Sequence, residues 1–382
     1  MLCLRIMDNY IYHDGKMLRR GYTTGTCAAA ASAAAARMLF GMPCDEIELR
    51  LPGGDMLTLR PVDMKKDGDT ASCAVIKDSG DDPDITNGIA VYSAITLAES
   101  GFEITGGRGV GKVTKPGLDR PVGDYAINTV PRSMIKEAVL DVCSQCGYDG
   151  GIRVEIYIPE GESLAEKTYN PRLGIIGGIS VIGTSGIVEP MSTRAILETV
   201  RVEMNMRKAE GKHSIVLTLG NYGEGYLAKE LSFIQDRNVK CSNFIGDALD
   251  MAMEMGFENV LIAGHIGKLV KLGTGIMNTH SAQADGRIEV LVMCALLADA
   301  DIDTLRKLAE CVSTDAALDI LNGRGLLRQT MDKLMERTQT YLDSKTKGRI
   351  NAGALMFSNV YGFLGQTEKA GDITAILREE YS

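Results

Sequence analysis

The sequence has no tryptophan, only 10 prolines in 382 residues, and no apolar run long enough to span a bilayer. Core filling therefore falls to aliphatic side chains and the 19 methionines, which are ordinary gap fillers and carry no functional weight. No low-complexity linker is present. Met1 to Lys16 mix polar and charged groups without an apolar stretch, so no signal peptide is predicted and the expected location is cytoplasmic. Basic residues are outnumbered, 41 Lys and Arg against 50 Asp and Glu, for a formal charge of −9. That balance argues against nucleic acid as the main partner, and an acidic small molecule would need a local basic pocket. No membrane partner is expected, and homo-oligomerisation is left open.

Several signatures are also missing. The nine cysteines are odd in number and scattered, which fits reduced thiols better than a disulfide framework. Cys143 and Cys146 form one CxxC, but no second pair or nearby HxxxH completes a zinc set, so two half-buried thiols at a helix end are expected and no metal site is assigned. Neither GxGxxG nor GxxxxGK[ST] occurs, which counts against a nicotinamide-dependent reductase and a phosphate-loop kinase.

What is present in excess is glycine. The 43 glycines are 11% of the chain, against roughly 7% in ordinary proteins, and 19 of them fall in four segments, 101–123, 174–186, 220–225 and 264–275. Those segments become the candidate ligand loops, where backbone approaches closely. A chain this long exceeds one hydrophobic core, and the pattern predicts two α/β domains. Residues 1–165 are expected to form an N-terminal α+β domain, and 166–382 a C-terminal doubly wound, Rossmann-like parallel-sheet domain ending in helices.

In the first domain, Thr23, Thr24 and Thr26 are candidate N-caps of an Ala-rich helix, for which packing is favoured over anion binding. Alternation on both sides of Pro52-Gly53-Gly54-Asp55 predicts a hairpin, and Ala71–Ile76 and Ile152–Ile158 predict strands. Asp78, Asp81, Asp82 and Asp84 share one loop without a basic residue, either as a cation or proton-accepting loop or as a solvated turn; a calcium-loop spacing is absent. Residues 101–136 carry Arg108, Lys112, Lys115, Arg120, Arg132 and Lys136 against Glu103, Asp119 and Asp124, locally +3. An acidic ligand needs such a segment.

From Leu173 the pattern becomes strands alternating with helices. LGIIGGISVIG, SIVLTLG, VKCSNFIG and ENVLIAG read as parallel strands, and ligands of such sheets sit beyond the carboxyl ends. That edge is expected to carry Thr184, Ser185, Asn221, Gly223, Asp247 and His265. Asp247 is placed either to bind ribose hydroxyls or to cap the next helix. His265 and His280, two of only four histidines, lie in one segment with Lys268, Lys271, Asp285 and Arg287, which suits acid–base or orienting roles. From about Gly286 the chain reads as helical until residues 354–365, a last strand.

The motifs GYTTGTCAAAA, DSGDDPDIT, PVGDYAINTVPRSMI, NPRLGIIGGISVIGTSGIVEPMS and AGHIGKLVKLGTGIMNTHS, in that order from residue 21 to about 285, together resemble the cobalt-precorrin-5B C(1)-methyltransferase family (CbiD). The resemblance implies methyl transfer from S-adenosylmethionine to ring carbon C-1 of cobalt-precorrin-5B, giving cobalt-precorrin-6A in anaerobic cobalamin biosynthesis. It implies a two-domain α/β fold, a polycarboxylate tetrapyrrole as partner, and cobalt only within that substrate. One departure is visible: such proteins commonly look like Thr-His-Ser-Arg, whereas this chain continues Thr279-His280-Ser281-Ala282-Gln283-Ala284-Asp285, leaving Arg287 as the nearby basic group. On this reading S-adenosylmethionine is expected on Thr184, Ser185, Gly186, Asn221 and Gly223 with Asp247 on the ribose. Substrate carboxylates are expected on Arg108, Lys112, Lys115, Arg120, Arg132, Lys268 and Lys271 at an interdomain cleft, and His265 or His280 is expected to accept the proton lost on methylation. A precorrin reductase and a non-enzymatic tetrapyrrole carrier are the alternatives.

Overall fold

A computed structural model describes residues 9–220, 231–234 and 237–382. The chain divides into two compact units, Met1–Ser192 and Thr193–Ser382.

The first unit is built on helix α1 (Thr24–Leu39), in which every residue except Arg37 and Met38 is buried. A helix apolar all round belongs inside a core, and alanine lets its neighbours approach closely. Thr23 caps it, its hydroxyl accepting from Thr26 N–H at 3.2 Å. The helix packs on β1 (Val62–Asp67), β2 (Thr70–Ile76) and β3 (Ala90–Ala98), and the Ser32 and Ser93 hydroxyls meet at 2.8 Å in the contact. Beyond β3 lie β4 (Phe102–Gly106), helix α2 (Thr129–Cys146) and β5 (Gly151–Tyr157). The sheet order is β1-β2-β3-β5-β4, antiparallel except for the β4–β5 pair. α2, also packed on α1, lies in the crossover that a parallel pair requires. The expected hairpin forms, Ile47 facing Leu59. Cys143, buried, and Cys146, exposed, end α2 as free thiols.

The boundary lies at 192 rather than 165, because residues 166–192 are stitched into this unit. LGIIGGISVIG is not a strand of the second sheet. Gly177, at φ +81°, divides it into Ile175–Ile176, antiparallel to Lys112–Val113, and Gly178–Ile179, parallel to Gly109–Val110. Ile187–Val188 pairs with Gly21–Tyr22. At the crossing, three glycines meet backbone to backbone: a Cβ on Gly109 would lie 1.7 Å from the Ile158 carbonyl oxygen, and Cβ atoms on Gly161 and Gly178 would lie 2.1 and 2.2 Å from the Gly109 oxygen. Gly109, Gly111 and Gly178 of the glycine-rich segments therefore serve chain crossing.

The second unit comprises α3 (Thr193–Ala209), β6 (Ser214–Thr218), β7 (Val239–Lys240), α4 (Ile245–Glu254), β8 (Asn259–His265), α5 (Arg287–Leu297), α6 (Leu327–Thr346), β9 (Asn351–Ser358), β10 (Gly362–Gln366) and α7 (Ala370–Tyr381), with shorter helices between. The sheet order is β7-β6-β8-β9-β10, parallel up to the antiparallel β10. Residues 354–365 are thus not one strand but parts of two, and β9 is interior to the sheet. Both faces are buried, which is why these strands read as continuous apolar runs. Ile215, Leu217, Val260 and Ile262 face Leu249 of α4 and Leu334 of α6, while Val216, Leu261 and Leu355 face Ile373 and Leu377 of α7. Among the described residues, no helix is long and apolar enough to cross a membrane.

Candidate functional site

The carboxyl ends of β6, β7 and β8 bring together Thr218, Cys241–Asn243 and the single helical turn Ile266–Leu269. His265 closes β8 and caps that turn: Nδ1 accepts from Gly267 N–H at 3.1 Å, and Nε2 lies 3.3 Å from Asn359 N–H just beyond β9. Its ring also meets Phe357 edge-on at 5.8 Å. Lys268, on the turn, is half-buried, and its ammonium is pushed below the usual lysine value by burial and then by the neighbouring Lys271. Lys271 itself is buried, donating to the carbonyls of Thr279 at 3.1 Å and Ala284 at 2.7 Å. It is a staple for the 279–284 loop instead of the expected substrate contact. Asn243 completes the loop's attachment through Thr279 N–H to its carbonyl at 3.0 Å and the two side chains at 3.2 Å. Ser242 between these groups is held at φ +53°, a left-handed conformation uncommon for a residue with a side chain.

His280 is exposed, its Nδ1 accepting from Ala282 N–H at 3.2 Å. Arg287 does not reach toward it as a free cation: the guanidinium grips Asp285 through two bonds of 2.8 Å, holding that carboxyl down at about 2. Asp247 lies neither at a strand end nor at the N-cap, which is Phe244, but exposed in the first turn of α4. Asn221 and Gly223 lie outside the described residues. Of the expected edge residues, His265 is the one the described structure places there.

Thr184, Ser185 and Gly186 belong to the first unit, against the start of α1. Thr26 Oγ1 donates to the Gly186 carbonyl at 2.6 Å, Thr23 N–H donates to the same oxygen at 3.1 Å, and Gly25 N–H donates to the Ile182 carbonyl at 2.9 Å. The helix start is therefore satisfied by protein, and Thr184 stays exposed above it. The acidic loop is also structural. Lys77, one residue before it and 3% exposed, binds Asp84 and donates to Ser79 Oγ at 2.6 Å and Thr86 Oγ1 at 2.8 Å. Asp78 takes both arms of Arg19, at 2.6 and 2.7 Å. Lys77 is missed when the loop is read from Asp78 onward, although adjacency in sequence was the available signal.

The basic segment is largely spent within its own unit. Arg108 pairs with Glu162 at 3.4 Å and Arg120 with Asp124 at 2.6 Å. Arg132 donates to the Ile127 and Ile104 carbonyls at 2.9 and 3.1 Å, its charge disfavoured by burial and then by Arg120. Lys112 and Lys115 are exposed and rest on neutral groups, Lys112 4.9 Å from the Tyr125 ring centroid and Lys115 3.3 Å from the Arg172 carbonyl. Lys136 is likewise exposed, 6.0 Å from the Phe102 ring centroid, so three lysines of the segment are not paired with an acid among the described residues.

A sheet with strand order 2-1-3-4-5, parallel but for its last strand and covered by helices on both faces, defines an α/β protein. The CbiD family model matches residues 11–190 and the model described as CbiD, C-terminal domain, matches 278–368. Cobalt-precorrin-5B C(1)-methyltransferase of Ruminiclostridium cellulolyticum is 42% identical over 93% of this chain and 92% of its own length. The protein of that name from Alkaliphilus metalliredigens is 43% identical over 98% and 99%. A crystal structure of a cobalamin biosynthesis protein (cbiD) from Archaeoglobus fulgidus covers 73% of this chain and 88% of its own, at 28% identity and TM-score 0.39. The chain belongs to the CbiD family.

Proposed function

We propose that this chain transfers the methyl group of S-adenosylmethionine to C-1 of cobalt-precorrin-5B, giving cobalt-precorrin-6A and S-adenosylhomocysteine. The observation that carries this reading is near-full-length identity above 40% to relatives bearing that activity as their name. The donor supplies an electrophilic sulfonium methyl, so the protein's work is to hold the ring carbon in line with it and exclude competing water. We place the donor on the second unit, read as Rossmann-like, at the carboxyl edge where strand order reverses. A nucleoside with an amino-acid tail fits an edge that offers the Asn243 amide and a half-buried lysine. Lys112 and Lys115 are proposed to take substrate carboxylates.

The proton lost on methylation is assigned to His280. That ring is exposed, with one backbone contact to Ala282 N–H, whereas His265 Nδ1 is already used to cap the Ile266–Leu269 turn through Gly267 N–H. His280→Ala is expected to lower kcat by ~100-fold. His265→Ala is expected to act through stability, losing about 1–2 kcal/mol with its cap. Near-normal turnover of folded His280→Ala would remove the acid–base role. For the reaction itself, anaerobic incubation with both substrates should add one methyl mass to the corrinoid; an unchanged mass with folded protein rejects the assignment.

A further inference from the structure

In the second sheet the chain runs from β6 outward to β7, then crosses back to β8 and on to β9. The reversal lies between β6 and β8, and parallel sheets open a crevice at that position beyond their carboxyl ends. Lys268 enters the second unit's edge there, three residues past the end of β8. Cys241 follows β7 on the far side of β6, so the residues after β7 and after β8 flank the reversal.

Two features hold Lys268 in place. The turn that carries it is fixed at its start by the His265 cap and the link to Asn359. Behind it, Lys271 is locked by two carbonyls, adding a second positive charge that cannot move away. Among the described residues neither lysine has a carboxylate at ion-pair distance, in a chain whose acids outnumber its bases. A half-buried lysine without a carboxylate partner at a ligand edge calls for an anion, and one ammonium fits a single carboxylate.

We propose that Lys268 receives the carboxylate at the amino-acid end of the methyl donor, with Lys271 acting behind it as a positioning residue. The assignment rests on the methyltransferase reading above. Its test is calorimetric titration of the full chain with S-adenosylhomocysteine and with decarboxylated S-adenosylhomocysteine, which lacks only the carboxylate. Lys268→Met should weaken the first by roughly 10- to 100-fold and leave the second within about twofold, erasing the preference of the wild type for the carboxylate. Lys268→Arg should restore part of that preference, and it serves as the second variant should the methionine form fail to fold. Undiminished binding of S-adenosylhomocysteine by Lys268→Met, or equal loss of both nucleosides by the folded variant, overturns the assignment. Wild-type protein that binds neither nucleoside overturns the donor reading itself, a result distinct from an indifferent Lys268.

Discussion

Replacing Gly109 by alanine is expected to destabilise the first unit by about 3–5 kcal/mol. The residue sits at φ +77°, where a side chain costs about 1–2 kcal/mol, and its Cβ would fall 1.7 Å from the Ile158 carbonyl oxygen. That obstacle is backbone, tied through Ile158 N–H to the Arg108 carbonyl at 2.8 Å, so it has no rotamer by which to yield. Relief would require separating Gly109 from Gly161 and Gly178, and with them the pairing that stitches residues 175–179 into the unit. Gly147→Ala is the internal control. It ends α2 at φ +65° with open space around the missing Cβ, so only the conformational cost of about 1–2 kcal/mol should appear. Urea unfolding followed by circular dichroism compares the two, and equal losses would show that the crossing tolerates a side chain.

Lys77→Met should cost about 3–5 kcal/mol near neutral pH, the usual consequence of removing one partner from a buried pair. Burial alone would push the Asp84 carboxyl up, but the Lys77 charge and hydrogen bonds outweigh it and hold the group below its ordinary value. Wild-type stability from this carboxylate is therefore present above pH ~4, the unfolded value, and is lost as pH falls through the lower folded one. In the variant the sign reverses. Asp84 keeps its Thr86 bonds but loses the charge that offsets its burial, so its carboxyl is expected to rise above the unfolded value and to destabilise increasingly as pH rises past ~4. The gap between variant and wild type should accordingly narrow toward pH ~4, measured as the difference in unfolding midpoint across a pH series. A gap that widens on acidification contradicts the pairing.

Periodicity and turn chemistry made much of the fold legible. Apolar runs at 214–220 and 258–264 became β6 and β8 because a sheet covered on both faces leaves no alternation to confuse them with. The Pro52–Asp55 turn was readable for the same local reason. LGIIGGISVIG misled because apolarity records burial but not the element that provides it, and its Gly178 serves a crossing with the distant backbone of Gly109. The site was legible as a neighbourhood more than as roles. His265 was expected at the edge and stands there, yet it serves as a cap on Gly267 N–H, and its other ring nitrogen faces Asn359, 94 positions away. Arg108, Arg120 and Lys271 carry the right charge, but whether a cation is spent on a neighbour is a property of the fold, not of composition.

The burial of α1 has a kinetic consequence. Its amides are hydrogen-bonded along the helix and covered on every side, so no local fraying motion short of opening the core gives water access to the middle turns around Ser32. Amide hydrogen exchange there should proceed only through global unfolding of the first unit, making the Ala28–Ala36 amides its slowest-exchanging set. Their deuterium uptake would then serve as a clock for that unit alone, reading its opening free energy independently of the second unit.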